Sequence, residues 1–328
     1  MVAMAKSAVL LLAHGTPESL DEIPDYLLKV TGGRPLPESV VAEIRHRYSL
    51  IGKSPLTEIT LAQARALQQQ LGVPVFVGMR NWHPYIADTM RQMREQGVTR
   101  LAVLCLAPQN SRTSVGLYRR AVFAEAAPDM QIDFIDEWAG HPLLIAAFAG
   151  KLRDRWPSHA NQNTRASVLF TAHSVPCRTM WSKSAIPLGA DEKPNAVEAT
   201  EQTPDSYAQQ AKRTAELVAE ALASDGMGDR DWFFAFQSQG ASGGPWIGPT
   251  VEATLQALAE EGRKSVILQP VGFLCDHVEI LYDIDIAFQE TAKTLGIQLE
   301  RTESLNCSPV LIAALADLAE KSLQWLGA

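Results

Sequence analysis

Cysteine is scarce and dispersed. Cys105, Cys177, Cys275 and Cys307 are the only four in 328 residues, and no two form a C-x-x-C pair. This excludes a disulfide framework, and no compact Cys/His cluster exists to build a structural zinc site. Buried thiols in a reducing cytoplasm are the expectation. Long apolar runs are missing too: none approaches the roughly 20 residues of a membrane-spanning helix. The apolar start of MVAMAKSAVLLLAHG ends in His-Gly-Thr-Pro and lacks a small-residue cleavage site, so it does not read as a signal peptide. Positive charge is in deficit. With 29 Lys and Arg against 37 Asp and Glu, the net charge is −8, which excludes a general nucleic-acid binder. The G-x-S-x-G elbow that would make Ser174 a nucleophile is absent. The glycine-rich QSQGASGGPW at 237–246 matches neither a P-loop nor a dinucleotide fingerprint.

What is present is apolar material: 46 % of the chain, enough for one large core or two medium ones. It falls into short β-branched runs at 8–13, 73–78, 101–106, 131–135, 167–171, 232–236 and 265–269. Amphipathic stretches lie between them, near 20–30, 38–48, 57–71, 84–96, 114–126, 141–155, 206–223, 250–261, 277–294 and 309–325. Strands apolar throughout, alternating with helices, predict parallel sheet covered on both faces.

The chain also repeats itself. VLLLAHGTP (9–17) and VLFTAHSVP (168–176) each end a strand in Ala-His with Pro shortly after, and His14 and His173 stand 159 positions apart. Pro108 follows a later strand 94 residues after His14, and Pro270 follows one 97 residues after His173. The reading is two doubly wound, Rossmann-like α/β domains, 1–150 and 160–328, with the last helix packing back on the first. Ligands of open parallel sheets sit beyond the strands' carboxyl ends, so the two histidines are expected on opposite walls of one cleft.

The densest stretch for chemistry is PVGFLCDHVEILYDIDIAFQE, 270–290. Glu279, Asp283 and Glu290 are spaced by 4 and 7 and share one face of an α-helix, with His277 and Asp285 off that face. Such a stripe suits a hard-cation path or a proton relay, and equally a solvated face. Asp276 with Glu279 also fits a capping box. In the first half, RHRYSLIGKSPL (45–56) and SRTSVGLYRRA (111–121) gather Arg47, Tyr48, Ser54, Arg112, Tyr118, Arg119 and Arg120. Arginines with tyrosines suit a planar aromatic ligand bearing carboxylates, or, for Arg119 and Arg120, a solvated helix face.

Taken in order, AHGTP, RYSLIGKSPL, LAPQNS with SVGLYRRA, TAHSVP, FQSQGASGGPW and PVGFLCDHVEILYDID resemble the class I ferrochelatases over nearly the whole chain, most closely those acting on coproporphyrin III. The resemblance implies a lyase that inserts Fe²⁺ into a porphyrin held between two domains. His173 and Glu279 would be the catalytic metal-site pair, and Asp283 and Glu290 an acidic metal or proton path. His14, Arg47, Tyr48, Ser54 and Tyr118 would contact porphyrin, with His14 standing where many members carry Tyr and able to ligate product iron. Lys29 and Arg34 are what remains of an arginine-rich propionate-binding stretch, and the 181–205 loop is longer than in compact members. Some relatives carry a [2Fe–2S] cluster; the scattered cysteines argue for no cluster and no tightly bound cofactor here. The polar ESLDEIPDYLLKVTGGRPLP favours coproporphyrin III over protoporphyrin IX. A class II chelatase of corrin precursors and a non-catalytic haem carrier are the other readings. The expectation is a cytoplasmic monomer meeting neighbouring haem-pathway enzymes only transiently.

Overall fold

Every one of the apolar runs forms a parallel strand. In the computed structural model, which describes residues 6–156, 166–177, 179, 205–240 and 245–327, these strands make two four-stranded sheets. The first comprises β1 (Lys6–Ala13), β2 (Val75–Met79), β3 (Val98–Cys105) and β4 (Gln131–Ile135), ordered β2-β1-β3-β4. The second comprises β5 (Ser167–His173), β6 (Trp232–Gln237), β7 (Ser265–Pro270) and β8 (Gln298–Arg301), ordered β6-β5-β7-β8. The two orders are the same, so the sequence repeat is a repeat of topology. The central strands are paired on both sides: Val9 lies opposite Val75 and Ala102, and Val168 opposite Trp232 and Ile267. With helices on both faces their side chains must be apolar in both directions, hence Ala8–Leu12 and Val168–Phe170 are fully buried.

The helices are α1 (Ile23–Val30), α2 (Glu38–Ile51), α3 (Leu56–Leu71), α4 (Ile86–Glu95), α5 (Val115–Ala124), α6 (Pro142–Arg153), α7 (Tyr207–Ala221), α8 (Val251–Glu260), α9 (Gln289–Thr294) and α10 (Pro309–Trp325). Two departures from the sequence reading matter. β8 is a strand where none is predicted. Residues Glu279–Phe288, predicted α-helical, instead wind as a ten-residue π-helix that runs directly into α9. π-Helices are rare and gather at functional sites.

The sheets do not keep separate interiors. Leu11 and Leu104 of the first share one core with Phe148 of α6, Phe170, Ile267 and Val271 of the second, and Leu315 of α10. α10 packs on α3, α6 and β3, returning the chain's last helix to the first half. At the seam, Gln109 Nε2 donates to the Val271 carbonyl (3.0 Å) and to Thr214 Oγ1 (3.2 Å).

Two cysteines, Cys105 and Cys275, are buried as expected, but Cys307 is exposed. Burial pushes the thiols of Cys105 and Cys275 up, the latter to about 12, and a thiol holding its proton is a poor nucleophile. Iodoacetamide at pH 8 is therefore expected to alkylate Cys307 in the native protein and to reach Cys105 and Cys275 only in denaturant, as peptide mass spectrometry would read directly.

Candidate active site

The strand order reverses between β1 and β3 and again between β5 and β7, and the carboxyl ends at these switch points carry the repeated histidines. His14 follows β1 directly. His173 is the last residue of β5. Two close approaches fix these corners. Gly15 has φ +89°, and a Cβ there would lie 2.7 Å from the Trp82 backbone nitrogen. Gly272, in the turn after β7, passes so near β5 that a Cβ would lie 2.7 Å from Ala172 Cα.

On the second wall, His173 Nε2 stands 3.1 Å from Glu279 Oε1, and His277 Nε2 stands 3.3 Å from Glu279 Oε2. Each imidazole is oriented through its other nitrogen. His173 Nδ1 meets the Ser174 carbonyl, and His277 Nδ1 donates to the Cys275 carbonyl at 3.0 Å. Phe273 packs edge-on to His173 and tilted against His277. Tyr207 of α7 donates to the His173 carbonyl (2.9 Å), while Gln237, at the end of β6, donates to the Glu279 carbonyl (3.1 Å). Ser238 follows with φ +62°, a conformation that disfavours a side chain, and its hydroxyl donates to Asp283.

The charges of this wall are graded. Burial alone would lower the pKa of His173, but the Glu279 carboxylate, the Ser174 carbonyl and Asp283 outweigh it and hold it at about 9. Burial would raise Glu279, yet His173 and His277 hold its carboxyl well below the usual range. Asp283 is pushed up to about 6 by burial and by the charge of Glu279, against the pull of Ser238, Arg47 and His173. One carboxylate is thus firmly ionised beside one that gains and loses a proton near neutrality, the kind of divergence that divides acid and base duties.

The opposite wall is aromatic. Ile23, Tyr26 and Leu27 of α1 pack with Tyr48 and Trp82, and Val278 of the second half joins this cluster. The His14 ring is enclosed by protein yet open to solvent, as the floor of a cleft is. Enclosure pushes its pKa down to about 4, and among the charges felt there are Glu279, His173 and His277, so the two walls face each other. Asn81 Nδ2 lies 3.1 Å from His14 Nε2, and Tyr48 OH lies 3.1 Å from Thr16 Oγ1.

Other expected positions fall out as follows. Ser54 Oγ is buried with no hydrogen-bond partner among the described residues. Tyr118 is buried behind the sheet among Leu10, Leu12 and Cys105. Arg47 bridges the walls: its guanidinium lies 5.0 Å over the Tyr282 ring and 3.8 Å from Asp283 Oδ1, and also holds Glu43. Lys29 lies over Tyr85, and Arg34 Nε bonds the Thr31 carbonyl within its own turn. Arg119 pairs with Asp136 on the surface and stacks on Phe123 and Phe134.

Glu290 does not join Glu279 and Asp283. It is exposed on α9, because an i→i+5 ladder turns less per residue than the α-helix from which spacings of 4 and 7 were read, and the shared face is lost before 290. Nor does Asp276 cap the helix; its carboxylate is held by Ser304 and Asn306. The 181–205 loop lies outside the described residues except for Asp205, which caps α7 through the Tyr207 N–H.

A family model for ferrochelatase matches residues 6–323. The chain belongs to the ferrochelatase family. A ferrochelatase of Acidobacterium capsulatum is 58 % identical, covering 98 % of this chain and 96 % of that one. One from Deinococcus radiodurans is 38 % identical with 95 % of both covered. A coproporphyrin III ferrochelatase of a Geobacillus species is 31 % identical over 98 % of this chain and 100 % of its own. Among solved structures, the sirohydrochlorin chelatase SirB of Bacillus subtilis in complex with cobalt aligns with a TM-score of 0.54 at 12 % identity, covering 97 % of this chain and 96 % of that one, a likeness of fold alone. Family membership makes this protein a porphyrin-metallating enzyme with iron as its metal.

Proposed function

We propose that this ferrochelatase inserts Fe²⁺ into coproporphyrin III, forming iron-coproporphyrin, with His173 and Glu279 as the residues that receive the metal and the pyrrole protons. The observation that carries the substrate is the rim built by residues 18–37. Ile23, Tyr26 and Leu27 of α1 turn inward, while Glu18, Asp21, Asp25, Lys29 and Arg34 are exposed beside one large apolar side chain, Leu28. A polar lip suits the more carboxylated, more water-soluble porphyrin better than protoporphyrin IX. The relative named for coproporphyrin III, matched along its full length, supports the same reading.

In this reading the macrocycle lies between the aromatic wall and the His173–Glu279 wall. Tyr48, held by Thr16, backs the ring from the first half. Arg47 can exchange Asp283 for a propionate. His14, kept neutral by its enclosure, faces the other side of the ring and can ligate product iron. Remote binding energy from the propionates favours a distorted porphyrin whose nitrogens point toward the metal site, lowering the barrier to metallation. The imidazole of His173 must shed its proton to act, and Asp283, one turn along, is placed to carry protons away. Among the described residues no helix is long and apolar enough to cross a membrane. A cytoplasmic monomer without a resident cofactor fits this reading.

Anaerobic metallation followed by absorbance tests it directly. Iron insertion is expected to be faster with coproporphyrin III than with protoporphyrin IX. The reverse preference would overturn the substrate, and tight binding without turnover would leave a porphyrin carrier.

A further inference from the structure

The proposed metal-site carboxylates stand on the π-helix, and ten residues in i→i+5 winding need something to hold them there. Behind the site, facing away from the cleft, β8 supplies it. Arg301 is the last residue of that short edge strand. Its Nε and NH2 form a two-pronged bond with Asp285 of the π-helix, at 2.7 and 2.9 Å. Its remaining nitrogen reaches Asp276 Oδ1 at 3.3 Å, just ahead of the π-helix. Asp276 is locked from its other side: Ser304 Oγ donates to Oδ1 (2.6 Å), Asn306 Nδ2 donates to Oδ2 (2.9 Å), and the Asp276 N–H donates back to Asn306 Oδ1 (2.9 Å). Asn306 itself sits at φ +46° and is anchored to the first half by Gln63, whose amide donates to its carbonyl at 2.7 Å. One guanidinium therefore spans two carboxylates that bracket His277, Glu279 and Asp283 in sequence.

We propose that Arg301 is a positioning residue for iron insertion: it clips Asp276 to Asp285 and so holds the winding that sets Glu279 against His173 and His277. The argument is geometric. An α-helical ladder over the same residues turns more and rises further per residue, so it would carry Asp285 away from the fork that meets it now. The fork matters because a planar guanidinium can engage one carboxylate with two parallel bonds and still reach a second, whereas an ammonium satisfies one at a time. The clip buries little apolar surface and touches no cleft residue named above. Its effect runs through the orientation of the groups it brackets, as outer hydrogen bonds do at metal sites.

This inference rests on His173 and Glu279 receiving the metal, and the experiment separates the two. Arg301→Lys and Asp285→Asn are compared with wild type and with His173→Ala, with Zn²⁺ and Fe²⁺ as metals, together with porphyrin affinity by fluorescence quenching. Asp285 is partly exposed, so its isosteric change leaves the fold intact even if Arg301→Lys does not fold. For both variants the KM for metal is expected to rise about 10- to 100-fold, the usual cost of losing an outer hydrogen bond at a metal site, while porphyrin affinity stays within about twofold. The double variant should be no worse than the poorer single one, because both remove the same bond. A metal KM unchanged in Asp285→Asn, or porphyrin affinity falling by the same factor as metal affinity, overturns the positioning role. Near-normal turnover in His173→Ala overturns the metal-site reading itself, whatever Arg301 does.

Discussion

Replacing His173 by alanine is expected to lower the rate of iron insertion by about 10²- to 10⁴-fold, the range lost with a positioned acid–base group, and to leave porphyrin binding nearly unchanged. The asymmetry follows from where the side chain stands. His173 ends β5 with its ring aimed at Glu279, 3.1 Å away, and its backbone carbonyl is held by Tyr207. Truncation removes the imidazole without disturbing the strand that carries it. The ring contact proposed for porphyrin comes chiefly from the other wall, around Tyr48. Removing His173 also takes away interactions that, with those of His277, hold the Glu279 carboxyl below its usual range. Stopped-flow metallation alongside equilibrium fluorescence quenching would separate the two quantities. Turnover within a few-fold of wild type would remove His173 from the mechanism.

Gly15→Ala is expected to be the most damaging single-carbon change near the site, destabilising the protein by about 3 kcal/mol or more. Two costs add. A side chain at φ +89° is strained wherever it is placed, and this Cβ would sit 2.7 Å from a backbone nitrogen, which cannot rotate away as a side chain would. Trp82 would have to move, and Trp82 packs with Tyr26 and Tyr48 against α1. Thermal denaturation reads the stability directly, and a drop of under 1 kcal/mol would show that the corner is softer than its geometry implies. By contrast, Gly52 and Gly72 have positive φ but open space around them, so only the conformational cost applies there.

What could be read from the sequence divides along physical lines. Strands such as AVLLLA and SVLFT are apolar on both faces because helices cover both faces, and composition alone shows that. The repeated Ala-His before Pro marks matching strand ends, because the same topology was built twice. β8 escaped notice because QLER is a four-residue edge strand with only its leucine well buried. The π-helix is invisible to pattern, since the same apolar spacing serves an i→i+4 or an i→i+5 ladder. For that reason spacings of 4 and 7 put Glu290 on the acidic stripe, whereas the structure leaves it exposed on α9. Asn81, Thr16 and Ser238 touch the expected site residues without any spacing that links them, since chain folding alone brings them there. Ser238 left a trace all the same, standing at the head of the glycine-rich stretch that follows β6 in sequence.

The single interior that Leu11, Phe170 and Leu315 share has a thermodynamic meaning for ligand capture. Domains joined by a flexible link must surrender their relative freedom each time they close on a substrate, and that loss is subtracted from affinity at every turnover. Here the walls are fixed against one another by the same burial that folds the chain. The ordering of the cleft is thus settled once, before any porphyrin arrives, and binding energy from the propionates is left free to bend the macrocycle.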